Sequence, residues 1–299
     1  MAEKSWLQDF PQMERGDLIA IRKTLDGAYR DFSREFGDTI EAFFDPLLTF
    51  LVWFEQLLLQ TPWWLVLAVI VGLVWLASRS WKLTAGITVA MLAIGYFGMW
   101  DNTMRTLSMI TVCTFMAILL GIPIGIIMAR SNRAQSVITP VLDVMQTMPA
   151  FVYLIPVVML LGIGKVPGLI AVIIYAIPPV IRLTNLGIRL VDKEVLEAAT
   201  AYGASSTQRL FGVQLPLAMP TIMAGINQTI MMALAMVVIA SMIGVKGLGQ
   251  PVLKSITNQY FTLGLLNGLA IVALAIMFDR VSQAWAKRSQ KHLGGAGHA

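Results

Sequence analysis

The sequence has 299 residues, 57% of them hydrophobic and only 13% charged, with a formal net charge of +5. Soluble globular domains carry about a quarter charged residues, so this composition and a mean hydropathy of +0.73 exclude an ordinary soluble enzyme and place the chain in the membrane class. In a soluble protein the positive charge would suggest nucleic acid; here the bases fall between apolar runs and read as loops flanking a bilayer, with no nucleic-acid partner.

Residues 1–60 form a polar to amphipathic arm with eleven acids and six bases. No secretory signal peptide is visible in it, and the first strongly apolar run begins only at Pro62. Within the arm, the stretch from Asp38 to Gln60 is apolar but interrupted by Glu41, Asp45, Pro46 and Glu55, which predicts a helix lying at the membrane interface or packed outside the membrane. Two peripheral spans follow in 61–100, predicted over Pro62–Ser78 and Leu83–Trp100. The core, 101–282, contains runs at Thr106–Ala129, Ala134–Gly164, Val166–Ile181 (extended towards Gly187 by snorkelling of Arg182), Leu217–Ile243 and Ser255–Phe278. A span needs about 20 residues, so the expectation is an all-α polytopic membrane protein of about seven transmembrane helices. A basic tail, 283–299, closes the chain.

The bases orient these spans. If the loop around Arg182–Arg209 is cytoplasmic, the inside holds twelve: Arg79, Lys82, Arg130, Arg133, Arg182, Arg189, Lys193, Arg209, Arg280, Lys287, Arg288 and Lys291. The outside loops then hold only Arg105, Lys165, Lys246 and Lys254. This asymmetry predicts an N-terminus outside and a C-terminus in the cytoplasm.

The most informative segment is the loop 188–216. It contains Glu197-Ala198-Ala199, then Gly203, then Val213 and Leu215-Pro216, a pattern EAA-x3-G-x9-V-x-LP. Residues Lys193–Tyr202 are good helix formers, and the small Ala198 and Ala199 allow close approach of a partner surface. Gly203 tolerates positive φ and permits a sharp break. A second short helix over about Ser206–Phe211 is predicted, with Ser205 as its N-cap. Pro216 is expected in the first turn of the next span, where its missing N–H costs nothing.

That pattern resembles the EAA loop of binding-protein-dependent importer permeases, with Val213 where Ile is usual. The segments 145–164, 177–188, 219–244 and 247–250 extend the resemblance, over roughly residues 100–280, to the glycine betaine/proline-betaine/choline class. The resemblance implies a type I ABC importer core working as a homodimer in the bacterial inner membrane. It also implies a cytoplasmic ATPase partner that uses ATP and Mg, an external (periplasmic) substrate-binding protein, and no cofactor on this chain. Glu197 would anchor the ATPase, and Gly203 would serve as the hinge of a coupling elbow that includes Ala198, Ala199, Val213, Leu215 and Pro216.

Other residues carry weaker signals. Asp143 lies deep in an apolar run, near the start of its span, where capping or structural pairing is the favoured reading over a transport role. Pro149, Pro156, Pro178 and Pro179 interrupt two spans, compatible with a translocation path or with kinked packing. Phe151, Tyr153 and Tyr175 could face a quaternary ammonium by cation–π contact, although packing is the commoner fate of such rings. Asn227, Gln228 and Asn267 suggest interhelical hydrogen bonds, Asn227 also being a path candidate, and Gly121-x3-Gly125 suggests close helix packing. Cys113 stands alone, and the only histidines are His292 and His298, so a disulfide, a histidine metal site and a Ser–His site all lack material. No GxxxxGK[ST] phosphate loop occurs, hence no ATPase chemistry and no catalytic residue of its own. An importer for an amino acid or another small solute stays open, and a self-sufficient secondary transporter is the more distant alternative.

Overall fold

The computed structural model describes residues 13–294, with side chains through Ala286, and every regular element among them is helical. The first twelve residues of the arm, and His298 with the end of the tail, lie outside the described residues.

Helix α1 runs unbroken through Arg15–Gln60, 46 residues or about 69 Å at 1.5 Å per residue. The predicted helix from Asp38 is therefore only its second half, and α1 holds a window apolar enough to cross a membrane. Pro46 is accommodated within it at the cost of one backbone bond, on a helix that buries only Gly37, Leu51 and Glu55.

Helices α2 (Trp63–Ser78) and α3 (Trp81–Tyr96) have 16 residues each. At about 24 Å apiece they fall short of the ~30 Å hydrocarbon core. The predicted second span loses its end because the chain turns at Phe97–Gly98, and Trp100 opens α4 (Trp100–Arg130) instead.

The span predicted over 134–164 is two helices, α5 (Asn132–Thr147) and α6 (Ala150–Leu161), bent by 101°. Pro149 is the cause. Its ring forces Met148 out of the helical region, to ψ 133°, and the chain restarts at a new angle. Helices α7 (Lys165–Ala176) and α8 (Pro178–Arg189) form one 25-residue rod. Pro178 and Pro179 donate nothing to the carbonyls one turn earlier, yet the rod runs on.

After the loop, α9 (Lys193–Ala201) and α10 (Ser206–Arg209) precede α11 (Leu215–Ala240). Helix α12 (Gly249–Asn258) then leads to α13 (Phe261–Gly294). The last span thus begins at Phe261, because the chain turns through Gln259 at φ +58°. Among the described residues, five helices are long and apolar enough to cross, six if the bent pair counts as one span, so the expected seven is approximate.

The polar ties between rods fix their directions. At one end, Arg105 of α4 and Lys165 of α7 each donate to Glu55 at 2.8 Å. At the other, Arg189 of α8 donates to the Met128 carbonyl (2.8 Å) and to Asn132 Oδ1 (2.9 Å). The α4 and α7–α8 rods are therefore parallel. Helix α11 is antiparallel to them, since the turn beyond it returns to α4, where Leu248 N–H donates to Thr106 Oγ1 at 2.9 Å.

Helix α8 is gripped on two sides by backbones without side chains. A Cβ on Gly121 would lie 2.4 Å from Val180 Cγ1, and one on Gly125 would lie 2.6 Å from Thr184 Cβ. On the α11 side, a Cβ on Gly225 would meet Leu183 Cβ at 2.9 Å. The predicted small-residue seam is thus the α4–α8 contact, where dispersion at close approach holds helices that lipid would otherwise solvate equally well.

Candidate coupling loop and translocation path

The loop folds as a compact elbow whose backbone is satisfied locally. Asp192 caps α9, accepting from Glu194 N–H at 2.9 Å. At its far end, Gly203 stands at φ +82°. From there Gly203 N–H donates to Thr200 O (2.9 Å) and Ala204 N–H to Ala199 O (3.0 Å), the paired bonds of a left-handed helix termination. Ser205 then caps α10 as predicted. It accepts from Gln208 N–H at 3.3 Å while Gln208 Oε1 accepts from Ser205 N–H at 2.8 Å. Arg209 ties the two arms together through a 2.9 Å bond to Thr200 Oγ1.

The junction with α11 differs from the prediction. The second short helix gives way to a π-turn, Leu210–Gln214, in which Leu215 N–H reaches back five residues to Leu210 O. The wider turn makes room for the Pro216 ring, which in a regular helix would strike the carbonyl four residues earlier. No loop intervenes, so residues 206–243 form a single rod. Leu210, Ala218 and Ile222, with Leu215 beside them, seat that rod against Ile188 of α8. Val213 is half-buried beside them.

Glu197 and Ala198 are exposed and Ala199 is half-buried. No ion pair holds Glu197 among the described residues. Around them Val195, Tyr202 (94% exposed) and Phe211 present apolar side chains outward. The elbow is thus rigid within itself, joined to a membrane rod without a flexible link, and carries exposed apolar side chains beside the charged Glu197.

The path candidates do not converge. Tyr153 is buried, donates its hydroxyl to the Met145 carbonyl across the bend, and packs edge-on against Tyr175 with centroids 5.5 Å apart. Its ring serves the kink between α5 and α6. Phe151, two residues earlier on the same helix, is 53% exposed and takes no part in that pair, and Pro149 caps α6. Asn227 is committed elsewhere, donating to Asp279 Oδ1 at 2.9 Å and accepting from Ser282 Oγ at 2.5 Å. Gln283 Nε2 adds 2.7 Å to the same carboxylate oxygen. Asn267 bonds its own helix at Leu263 O rather than a neighbour. Asp143 pairs with Arg182 of α8, the structural role favoured from sequence.

Two polar clusters were not apparent from sequence. Asp279 follows directly on the last predicted span and carries no signal of its own in the sequence. Glu55 looked like a mere interruption of an apolar run, although a lone acid there and isolated bases at the outset of two spans were a usable signal.

Known proteins match this architecture. Residues 121–291 match the family described as "Binding-protein-dependent transport system inner membrane component". The glycine betaine/proline betaine transport system permease protein ProW of Escherichia coli (strain K12) is 51% identical over 237 residues, covering 79% of this chain and 67% of that protein. The glycine betaine/carnitine transport permease protein GbuB of Listeria monocytogenes serotype 1/2a (strain 10403S) is 46% identical over 78% of this chain and 83% of that protein. Among solved structures, an inward-facing MetNI methionine ABC transporter chain aligns with a TM-score of 0.57 at 18% identity, over 62% of this chain and 93% of that one, a likeness of fold alone. The chain belongs to the inner-membrane components of binding-protein-dependent transport systems.

Proposed function

We propose that this chain is the permease of an ATP-driven importer for small quaternary ammonium solutes such as glycine betaine, proline betaine or choline. The elbow is the observation that carries the reading. An exposed helix pair continuous with a transmembrane rod can turn movement of a partner into movement of the rod. The partner is an ATPase subunit that binds ATP and Mg, neither of which this chain binds. Glu197 is its polar anchor, Ala198 and Ala199 allow close seating, and Gly203 fixes the angle between the two arms. Val213, Leu215 and Pro216 pass the movement to α11.

A second copy of the chain completes the path, and a periplasmic binding protein delivers the solute. The N-terminus lies outside and the elbow and C-terminus inside. The solute class follows the printed functions of the relatives, ProW for glycine betaine and proline betaine and GbuB for glycine betaine and carnitine.

Uptake of labelled glycine betaine tests the proposal, in cells stripped of their own osmoprotectant importers and supplied with this chain, its ATPase and its binding protein. Uptake that vanishes without the ATPase is expected, with unlabelled choline and proline as competitors ranking the solutes. An assembled complex that takes up no quaternary amine would overturn the substrate, and an amino acid would be the next solute to try.

A further inference from the structure

At the Glu55 end of the bundle, α12 packs on α13 and the end of α11 and leaves a recess of about 580 Å³ facing the first turn of α4. That volume is typical of a small-molecule site. Its walls are held by contacts too close for a side chain. A Cβ on Gly249 would lie 2.9 Å from Ser241 Cβ, and one on Gly264 would lie 2.3 Å from Ser255 Oγ. The bond from Leu248 N–H to Thr106 fixes the approach to α12. The recess is therefore preformed.

Its lining mixes apolar side chains (Pro251, Leu253, Leu263) with polar ones, of which Ser241 and Thr257 bond carbonyls of their own helical segments and the rest are uncommitted. Among the described residues, the side chains of Asn102, Gln250, Lys254 and Asn258 make no hydrogen bond, and no carboxylate pairs with Lys254. Lys254 is the one charged side chain in that lining. A preformed hollow with a single unpaired ammonium and three free amides is complementary to a small carboxylate. The ammonium supplies the charge, and the amide N–H groups can satisfy the remaining lone pairs.

We propose that this recess is a low-affinity landing site for the carboxylate of the transported solute, with Lys254 as its charge partner and its trimethylammonium end left towards the open side. The inference rests on the importer reading and on the orientation that puts this end outside. It makes the permease itself discriminate between carboxylated amines such as glycine betaine and those without a carboxylate, such as choline.

Saturation-transfer NMR on the purified permease–ATPase complex in lipid nanodiscs, with glycine betaine and choline as separate probes, tests it without requiring transport. Lys254→Gln is expected to weaken glycine betaine binding about fivefold, the worth of one exposed ion pair. Lys254→Arg should retain binding, and choline should be indifferent to both changes. Equal binding of glycine betaine by Lys254→Gln and the unaltered complex would overturn the site, as would an equal loss for both probes. Should the intact importer take up neither solute in cells, the transport reading falls, while this binding comparison still decides the recess.

Discussion

Glu55 ties the long first helix to two other rods. Its side chain is 10% exposed and accepts from two cations that belong to different rods, Arg105 and Lys165, each about 30% exposed at 28% and 31%. Removing the carboxylate would leave two half-buried positive charges facing one another. Breaking such a group costs up to about 3 kcal/mol after allowing for its partial exposure. Glu55→Gln should therefore lower the thermal midpoint of the purified complex by up to about 6 °C and speed tryptic cleavage of α1. An unchanged midpoint and digestion pattern would show that apolar packing around Leu51 holds α1 by itself. The Asp143–Arg182 pair makes a useful contrast, because the Asp143 side chain is 57% exposed and its loss should matter far less.

At the scale of the element, the elbow was the most legible part of the chain. Capping and helix termination are local chemistry, so Gly203 and Ser205 announce their roles within a few residues of sequence. The π-turn is not announced. It arises from a conflict between Pro216 and a helix that tertiary contacts at Leu210 and Leu215 keep continuous. The same limit hid the break at Pro149, since hydropathy sees an apolar run and not its direction. Gly203 offers a clean test of the elbow, because a Cβ there would meet no atom within 4 Å and only its φ of +82° is at stake. Gly203→Val should cost about 1–2 kcal/mol locally. It should reduce uptake and its coupling to ATP hydrolysis while membrane abundance stays normal, with Gly203→Asn, which tolerates this region, largely active. Normal uptake by the valine variant would mean that the angle between α9 and α10 does not transmit motion.

For the whole molecule, charge asymmetry predicted which end faces which compartment, and the polar ties at opposite ends of α4 give that prediction two addresses. Cys113 is fully buried, so the native background should label little. Ile256→Cys on α12 is expected to react with an impermeant thiol reagent in intact cells, and Tyr202→Cys only after permeabilisation. The reverse pattern would invert the topology. The number of spans was less legible than the class of fold, because α2 and α3 are apolar enough yet too short to be counted by length, and α1 mixes charge with apolar surface. The path residues were the least legible, since Tyr153 is taken up by the bend between α5 and α6 and by the ring of Tyr175 on α7, and Asn227 by Asp279 on a helix far away in sequence. The widened turn at Leu210–Gln214 has a consequence at this scale. One residue is worth about 100° of helical phase, so the extra residue sets the azimuth at which the elbow leaves the bundle. A single deletion within that turn would keep every side chain of the elbow and of α11, yet swing the face carrying Glu197 roughly a quarter-turn around the rod, away from any partner waiting beneath the membrane.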